Sequence, residues 1–515
     1  MINKAYKFIL PLLGLWLAAW IFFSWAAIQD DALIHLRYAD NLFRTHFITY
    51  DGVHPSYGAS SLLYVHVLAF LSGFISSPNL PRGLSSFMHV SLFLITSVIL
   101  VRFIPRESLR TRLLGLVLLF ILVAPSAVRW LDDGMETGFA LCFVALLCIL
   151  AFRQSRSSIT TPLQYLVLMV LAFFAVFLRT ELALLCGVIF AMLVWKQVFN
   201  NDHPSARWIG AVLRSSHVLV GCLLALLFIV LTMHSLLPDT ALAKSGTTSF
   251  AAFHNAATVI VGALTFGVGL LLLWLLTIFF LFRAGRFSVP TLFANLVFPT
   301  VLLLAAIRGQ EIQGARYLVW TYFFSVLWNL LELGSVDLKR LDARRQSSSL
   351  VYAFILLLLV ALPFECKIMG RVLSMRAHTM KIFKGQHLDV LEGKQGIASD
   401  VGYIGYFSKA NICDIAGLVD GRAFARLPGA QRLADCAAGH PDFVFGNSSQ
   451  VKSITDAAPG YDWQVCTHYD FGNVRTPDTH YLVLPGATAV QTCHAIAGAT
   501  PYPLASLYAQ QHKHS

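Results

Sequence analysis

The feature that most constrains this chain is a series of long apolar segments that fills most of its first 365 residues. A helix that spans a bilayer needs about 20 apolar residues, because the hydrocarbon core is about 30 Å thick. Hydrophobic residues make up 57% of the 515-residue chain and charged residues 13%, which is more apolar surface than a protein in water can bury. The sequence therefore predicts an α-helical polytopic membrane protein.

Eleven of these segments are predicted to cross the membrane. The first follows Lys4 and Lys7, is too long for the apolar core of a usual signal peptide and lacks a small-residue cleavage motif. We therefore expect it to be retained as a transmembrane helix. The eleven segments lie near residues 8–28, 86–103, 113–128, 136–152, 163–178, 182–197, 216–234, 258–283, 291–307, 316–334 and 350–364.

One further apolar stretch, residues 60–75, is interpreted from the charges around it. Arg102, Arg106, Arg110 and Arg112 make the loop after the second span strongly basic, and basic loops stay in the cytoplasm. If residues 60–75 crossed the membrane, that loop would face outward, so we expect an interfacial or re-entrant helix. The cytoplasmic segments then carry 17 Lys and Arg residues, and the external loops before the C-terminal domain carry 8.

This asymmetry predicts a cytoplasmic N-terminus and an external C-terminal domain. It also accounts for the formal net charge of +11, so we expect membrane lipid and no nucleic acid as a partner. Composition changes after residue 365, which divides the chain into a membrane domain, 1–365, with a first external loop at 29–85, and a C-terminal domain, 366–515.

Short strand-like runs alternate with helical stretches in the C-terminal domain and predict a small α/β fold. The runs lie at 396–399, 412–415, 442–445 and 480–484. Four cysteines in this domain are candidates for two disulfide bonds with three possible pairings, since an external compartment is oxidising. Their spacing fits no CxxC zinc motif. They are Cys413, Cys436, Cys466 and Cys493.

The unusual polar residues all fall on the predicted external side of the spans. Asp30 and Asp31 directly follow the first span, and two adjacent carboxylates raise the pKa of one of them, which suits proton abstraction or metal binding. The alternative is a solvated helix end, where acidic residues are favourable. Ionisable groups at membrane depth are costly and tend to mark function. Other such groups lie at 130–138, 179–181, 237–246 and 308–317.

These segments together resemble the GT-C superfamily of glycosyltransferases, in particular the branch that contains the terminal arabinofuranosyltransferases of mycobacterial cell walls. The resemblance spans most of the chain and departs from the family at His54 and Asp239. The motifs that carry it, in chain order, are DDALIHLRYADN (30–41), TYDGVHPSYGASSL (49–62), GMET (134–137), RTE (179–181), LPDTALAKSG (237–246), RY (316–317), IASDVGYIGY (397–406) and ICDIAGL (412–418).

The resemblance implies an enzyme of a bacterial inner membrane that transfers a sugar from a polyprenyl-monophosphate donor to a glycan or glycolipid on the periplasmic face. A pentofuranose donor is suggested by the best-known members of the branch. Such a reaction needs a base for the acceptor hydroxyl and cations for the departing phosphate. We expect Asp30 to be the base and Asp31 to orient it, or to bind a sugar hydroxyl or a metal.

The remaining expected roles follow the same chemistry. The candidate phosphate ligands are Lys244, Arg316, Arg179 and Arg37, and the candidate sugar or acceptor ligands are Glu136, Glu181, Tyr38, Tyr57, His54 and Asp400. A divalent cation, if one is bound, would be held by Asp30, Asp31 and His35. Simpler interpretations stay open, since Arg179 and Glu181 could pair only with each other and Arg316 could contact only lipid head groups.

Two other functions are compatible with the composition. A transporter or flippase of a lipid-linked saccharide would also be polytopic and basic in its loops, but its polar residues usually lie near the bilayer midplane. A sensor or assembly scaffold would leave Asp30, Asp31 and the loop cations without a role. Charges concentrated at one membrane face favour the enzyme.

Overall fold

The computed structural model of the protein describes residues 2–105, 108–156, 161–199, 207–243, 268–307, 318–335, 346–472 and 477–511. Most of this part of the chain is helical, and a small sheet lies near its C-terminus. The helices of the N-terminal part are α1 (Ile2–Phe23), α2 (Asp30–Thr45), α3 (Leu62–Ser72), α4 (Leu80–Phe103), α5 (Leu109–Val123), α6 (Pro125–Leu131), α7 (Thr137–Arg156), α8 (Pro162–Leu178), α9 (Leu182–Phe199), α10 (Arg207–Met233), α11 (Asp239–Ala243), α12 (Val268–Arg283), α13 (Val289–Ile307), α14 (Val319–Gly334) and α15 (Gln346–Gly385).

Every segment predicted as a span contains a helix in the structure. By length and composition, five helices in the described ranges can cross a membrane: Leu80–Phe103, Thr137–Arg156, Leu182–Phe199, Trp208–Met233 and Val351–Gly385. Several others, among them α8, α12 and α13, are apolar but shorter or less uniformly apolar. The chain is thus a helical protein with several membrane-spanning helices, and the number eleven stays a prediction.

The third predicted span differs from the expected single helix. It consists of α5 and α6, whose axes are bent by 62° at Ala124. Ala124 is extended, with φ −64° and ψ 151°, and it precedes Pro125. A proline disfavours the helical conformation of the residue before it and cannot donate to the preceding turn. Hydropathy alone predicted a continuous segment over 113–128 because it does not register that break.

Residues 60–75 form α3, a helix of 11 residues. At 1.5 Å per residue such a helix is only about 16 Å long, roughly half of the hydrocarbon thickness. The structure therefore agrees with the prediction of a helix that does not span the membrane. It lies, like α2, within the segment 29–85 that is predicted to be the first external loop.

Helix α15 is 40 residues long and joins the two parts of the chain. Its first half exposes large apolar side chains such as Leu356, Val360 and Phe364. Its second half packs on the C-terminal sheet, where the ring of Phe383 stacks 4.2 Å from that of Tyr469. The boundary predicted after residue 365 falls inside this helix, so the membrane part continues into the C-terminal domain without a loop.

The C-terminal domain is a six-stranded sheet with the strand order β2-β1-β3-β5-β4-β6. β1 pairs in parallel with β2 and β3, and the other pairs are antiparallel. Each of the four predicted strand runs overlaps one of these strands, and three of them extend one residue beyond it. The elements are β1 (Gln395–Ala398), α16 (Val401–Ser408), β2 (Asn411–Asp414), α17 (Arg422–Ala425), α18 (Gly429–Ala438), β3 (Phe443–Asn447), α19 (Ser448–Ala457), β4 (Trp463–Gly472), β5 (Pro477–Pro485), α20 (Gly486–Ala497), β6 (Tyr502–Pro503) and α21 (Leu504–Gln511).

The structure selects one of the three cysteine pairings left open by the sequence. Cys413 at the end of β2 bonds to Cys436 in α18, and Cys466 in β4 bonds to Cys493 in α20. Each disulfide ties a strand of the sheet to a helix that covers it. The cysteines in the described membrane helices, Cys142, Cys148, Cys186 and Cys222, are buried and reduced.

Helix α16 docks the C-terminal domain directly onto α2. The approach is so close that a Cβ atom on Gly402 would lie 1.9 Å from the main-chain oxygen of Asp30. No side chain larger than hydrogen fits there without moving one of the two helices. Gly402 is therefore required by the contact between the two parts of the chain.

Replacing Gly402 with alanine should loosen this contact. Overpacking a tight site typically costs about 1–3 kcal/mol, so we expect a lower thermal unfolding temperature and faster proteolytic release of the C-terminal domain. Gly429→Ala is the matched control, because Gly429 also opens a helix of this domain and has only a side-chain atom at 4.0 Å from an added Cβ. Equal stability of the two variants would contradict the docking described here.

Candidate functional site

Helix α2 presents the two adjacent carboxylates to different surroundings. Successive residues of an α-helix are about 100° apart, so Asp30 and Asp31 do not share a face. Asp30 faces α16: the main-chain N–H of Gly402 donates to its Oδ2 at 2.9 Å and that of Tyr403 to its Oδ1 at 2.7 Å. Asp30 thus caps the first turn of α16, where exposed N–H groups favour an anion.

The surroundings of Asp30 shift its pKa in opposing directions. Burial raises the pKa of Asp30 to about 7, the nearby carboxylates Asp400 and Asp31 add to the rise, and the two main-chain N–H groups oppose it. Asp400 is itself bound to His480, whose Nε2 lies 2.7 Å from its Oδ2. Burial works against ionisation of Asp400, but the contact with His480 brings its pKa below the usual value.

Arg37 is placed on the same face of α2, two turns after Asp30. Its Nε donates to the carbonyl of Tyr50 at 2.8 Å, its Nη1 to that of Gly405, and its Nη2 to that of Ala410 at 2.9 Å. The side chain is buried, and its guanidinium lies 4.3 Å from the centre of the Tyr50 ring. The candidate phosphate ligand Arg37 is therefore engaged with main-chain carbonyls of Tyr50 and of the C-terminal end of α16.

The other face of α2 carries Asp31, His35 and Tyr38, which are spaced by four and three residues. His35 Nδ1 lies 2.9 Å from the main-chain oxygen of Asp31. Because a carbonyl only accepts, Nδ1 donates its proton in this contact. Nε2 is buried and has no hydrogen-bond partner among the described residues. The ring stands edge-on to that of Tyr64, with their centres 5.8 Å apart.

A tight turn brings Glu136 to this face of α2. The main-chain N–H of Gln29 donates to the carbonyl of Asp133 at 2.9 Å. Gly134 follows with φ +91°, a conformation that side chains rarely adopt, and an added Cβ would lie 2.8 Å from that of Ala32. Glu136 is fully buried just after this turn and lies within electrostatic range of Tyr64.

Glu136 meets a second segment that is predicted to be external through Arg179. Arg179 Nε lies 2.7 Å from Glu181 Oε1 and 3.6 Å from Glu136 Oε1. Arg179 and Glu136 are buried, while the side chain of Glu181 is 32% exposed. The predicted local pair of Arg179 and Glu181 is thus present, but it is part of a three-membered ionic group that joins two loops.

Tyr57 connects this ionic group to α11. Its main-chain N–H donates to Asp239 Oδ2 at 2.9 Å, and the N–H of Asp239 donates back to its carbonyl at 2.7 Å. The Tyr57 hydroxyl is within electrostatic range of both Glu181 and Asp239. Nearby, the Tyr38 hydroxyl contacts Ser56 Oγ at 2.8 Å and accepts from the N–H of Gly58 at 3.0 Å.

We call the group formed by Asp31, His35, Glu136, Arg179, Glu181, Tyr57 and Asp239 the external polar cluster, after the side of the membrane on which the sequence predicts it. Tyr38 borders it, whereas Asp400 lies beside Asp30 on the opposite face of α2. His54 is apart from the cluster on the surface, with its side chain 82% exposed and paired with Asp51 at 2.6 Å. Lys244 and Arg316, the two remaining candidate phosphate ligands, lie outside the described residues.

Metal binding was an open expectation for Asp30, Asp31 and His35. Over the described ranges, no group of three or more His, Cys, Asp and Glu side chains has an arrangement that could hold a metal ion. The two aspartates of this trio point to different faces of α2, which explains why they do not converge with the histidine.

Sequence reasoning missed several residues that organise the site. His480 was not a candidate because it lies 80 residues from Asp400, in a strand without any motif. Tyr50 was quoted only as part of a motif, yet its hydroxyl donates to the carbonyl of Val401 at 2.6 Å. Tyr64, whose hydroxyl donates to the carbonyl of Gly134 at 2.8 Å, was hidden in the apolar stretch 60–75.

Comparison with known proteins gives no family assignment. No family model matches the chain, and no curated protein sequence matches it. Among solved structures, the fold is similar to the archaeal oligosaccharyltransferase AglB from Archaeoglobus fulgidus, in complex with an inhibitory peptide and a dolichol-phosphate. The match covers 93% of this chain and 74% of that one, with 12% identity and a TM-score of 0.44. A likeness of this size does not establish a shared fold.

Asp30→Asn should change how stability depends on pH. The pKa of Asp30 in the folded protein, about 7, is above its ordinary value of 3.8, so folding favours the neutral form. The stabilisation that this provides is complete below about pH 4 and is lost as the pH rises through about 7. Relative to the non-titrating asparagine variant, the unmodified protein should therefore lose thermal stability across this window.

The measurement is the unfolding temperature of both proteins in neutral detergent from pH 4 to pH 8. Asp435→Asn, which removes an exposed carboxylate of the C-terminal domain, serves as the control and should follow the unmodified protein. A constant difference between Asp30→Asn and the unmodified protein at every pH would show that Asp30 does not titrate in this range.

Proposed function

We propose that the protein is a membrane glycosyltransferase of the GT-C type, which transfers a sugar from a polyprenyl-monophosphate donor to a glycan or glycolipid acceptor. The observation that carries this proposal is the external polar cluster. Ionisable side chains around Tyr57, Glu136, Arg179 and Asp239 are brought together, and Tyr64 links them to His35 on α2. Helices apolar enough to lie in lipid belong to the same part of the chain. A donor with an apolar tail and an anionic head fits such a boundary.

Burial of these charges supports a catalytic role over a purely structural one. Glu136 and Arg179 are at most 2% exposed, and burying a charged pair costs more free energy than it usually returns. Many proteins keep buried charged side chains at positions where apolar residues would give a more stable fold, because those side chains act on a ligand. Here the carboxylates can accept hydrogen bonds from sugar hydroxyls, and the guanidinium group can bind a phosphate.

The contacts favour Asp31 over Asp30 as the base that deprotonates the acceptor hydroxyl. Both carboxylate oxygens of Asp30 accept main-chain N–H groups of α16, so Asp30 is suited to holding the C-terminal domain. Asp31 lies on the face of His35 and the external polar cluster. Asp30 then acts as a positioning residue, because it fixes the first turn of α2 on which Asp31 stands.

The proposed reaction moves one proton and exchanges one bond. Asp31 takes the proton of the acceptor hydroxyl as its oxygen bonds to the anomeric carbon of the donor sugar. The bond from that carbon to the phosphate oxygen breaks, and polyprenyl phosphate leaves. Since its second pKa is about 6, the phosphate needs stabilisation by cations more than protonation. Arg179, together with Lys244 and Arg316, is proposed for this task, and Glu136, Glu181 and Tyr57 for the sugar hydroxyls.

The proposed location is a bacterial inner membrane, with the cluster and the C-terminal domain in the periplasm. The distribution of Lys and Arg supports this orientation. Two disulfides in the C-terminal domain also support it, since they persist in oxidising compartments. The sequence resemblance suggests a pentofuranose such as arabinofuranose as the transferred sugar.

Asp31→Asn should abolish transfer while leaving the fold intact. Loss of a general base typically costs a factor of about 10²–10⁴ in rate, and asparagine has the same shape. The assay uses purified protein in liposomes with a radiolabelled polyprenyl-phosphate pentofuranose and an extract of envelope glycan, and the product is separated from the lipid. Asp40→Asn is the control, because Asp40 lies on the same helix and the charge change is identical.

Asp30→Asn separates the two assigned roles in the same assay. We expect Asp30→Asn to keep partial activity, in proportion to the fraction of the protein that stays folded. The reason is that asparagine retains one acceptor for the N–H groups of α16. Full activity of Asp31→Asn together with a complete loss in a stably folded Asp30→Asn would contradict the assignment and make Asp30 the base.

Peptide mapping without reduction tests the proposed compartment. In intact cells treated with a membrane-permeant thiol blocker before lysis, Cys413 should be recovered linked to Cys436, and Cys466 linked to Cys493. Cys142, Cys148, Cys186 and Cys222 should be recovered as thiols. Four blocked thiols in the C-terminal domain would place it in the reducing cytoplasm and overturn the proposed orientation.

A further inference from the structure

The outer half of α15 forms a cleft with the end of α1, away from the external polar cluster. The cleft has a volume of about 470 Å³ and is lined by Ala26, Ala377, His378, Met380, Lys381 and Lys384. Its wall is mainly apolar, while the lysines and the histidine supply basic groups. Lys384 is also fixed to the start of α4, since its Nζ donates to Asn79 Oδ1 at 3.1 Å.

Three guanidinium groups from different elements gather next to this cleft. Arg376 precedes Ala377 in α15 and lies within electrostatic range of both Arg82 in α4 and Arg129 in α6. Arg82 is fully buried, and its Nη2 donates to Ser24 Oγ near the end of α1. Arg129 lies over the ring of Trp130, 4.9 Å from its centre. Like charges repel, so their assembly requires compensation.

Two carboxylates lie within electrostatic range of these guanidinium groups. Asp133 is within electrostatic range of Arg82 and Arg129, and Asp132 is within range of Arg82. Asp132 also contacts His89, whose Nδ1 lies 2.9 Å from its Oδ2. Lys381 and Lys384 add further positive charge at the cleft.

Buried donors without partners point to a missing acceptor. Nε and Nη1 of Arg82 and Nη1 of Arg376 are buried and have no hydrogen-bond partner among the described residues. An unsatisfied buried donor costs about 1–3 kcal/mol, and more when it is charged. A phosphate oxygen accepts strongly from guanidinium groups, often two at a time.

The surface beside the cleft is suited to acyl chains. Phe22 and Phe23 at the end of α1 are 78% and 81% exposed, and Trp25 is 44% exposed. On α15, Val360 and Phe364 are also exposed, about four to seven helical turns before the cleft residues. Apolar side chains this exposed belong in lipid, and a tryptophan beside them is typical of the membrane–water boundary.

We propose that this basic cleft binds the phosphate group of an anionic lipid, whose acyl chains lie along the apolar surfaces of α1 and α15. The bound lipid supplies the acceptor for the buried guanidinium donors and fixes the outer half of α15 against α1 and α4. This proposal does not rest on the transfer reaction, since the cleft and the external polar cluster share no residue. Its test measures binding and not sugar transfer.

The experiment is a thermal-unfolding titration of delipidated protein in neutral detergent with three ligands. Dioleoyl phosphatidylglycerol carries both phosphate and chains, dioleoylglycerol carries chains alone, and sodium phosphate carries the anion alone. We expect phosphatidylglycerol to raise the unfolding temperature in a saturable manner and the other two to have little effect. Arg376→Gln should weaken the apparent affinity about tenfold or more, because charge-assisted hydrogen bonds to phosphate are lost.

Arg371→Gln is the matched control, since Arg371 is an exposed arginine of the same helix outside the cleft. It should bind phosphatidylglycerol like the unmodified protein, and Arg376→Lys should retain most of the affinity. Lys384→Gln, at an exposed position, gives a second variant if Arg376→Gln does not fold. Equal shifts with phosphatidylglycerol for Arg376→Gln, Lys384→Gln and Arg371→Gln would overturn the proposal. So would a full shift with dioleoylglycerol or with sodium phosphate alone.

Discussion

The contact between α2 and α16 is the constraint on which the arrangement of this protein depends. Asp30 caps the start of α16, Arg37 binds the carbonyls of Gly405 and Ala410 at its end, and Gly402 allows the two helices to touch. These contacts use one face of α2. The 100° step between neighbouring residues then turns Asp31 and His35 to a different face, where the His35 ring meets Tyr64 of α3. One helix of 16 residues thus docks the C-terminal domain and supplies residues to the external polar cluster.

Polar residues inside the bundle have a different character from those of the cluster. Asn295 and Asn329 donate to each other at 2.9 Å, and Asn329 also donates to Thr277 Oγ1 at 3.0 Å. These amides satisfy one another across α12, α13 and α14, as expected for polar groups that hold membrane helices together. The external polar cluster instead combines acids, a cation and a histidine nitrogen without a described partner. This contrast favours chemistry at the external face over a polar pathway through the membrane.

The sequence predicted the positions of the helices and the small α/β domain, because hydropathy is a local property. It also predicted that distant charged loops would meet near α2, because the charge pattern assigned them to one membrane face. It did not predict the break at Ala124, the length of α15 or the separate surroundings of Asp30 and Asp31. The last depends on α16, more than 370 residues away in the chain, which no local pattern encodes. Arg37 was predicted to be a phosphate ligand because its carbonyl partners, Gly405 and Ala410, are also about 370 residues away and could not be recognised from the sequence. The role of His480 became visible only when β5 was placed beside Asp400.

The central claim is that a lipid-linked sugar occupies the external polar cluster. The most direct measurement is photo-crosslinking with a polyprenyl-monophosphate sugar that carries a photoreactive group on the sugar, followed by peptide mass spectrometry. The account predicts labels in the peptides that contain Asp31, Tyr57, Glu136 and Glu181, and competition by the unmodified donor. Labels confined to the predicted cytoplasmic segments, such as 153–162 or 283–290, would contradict it.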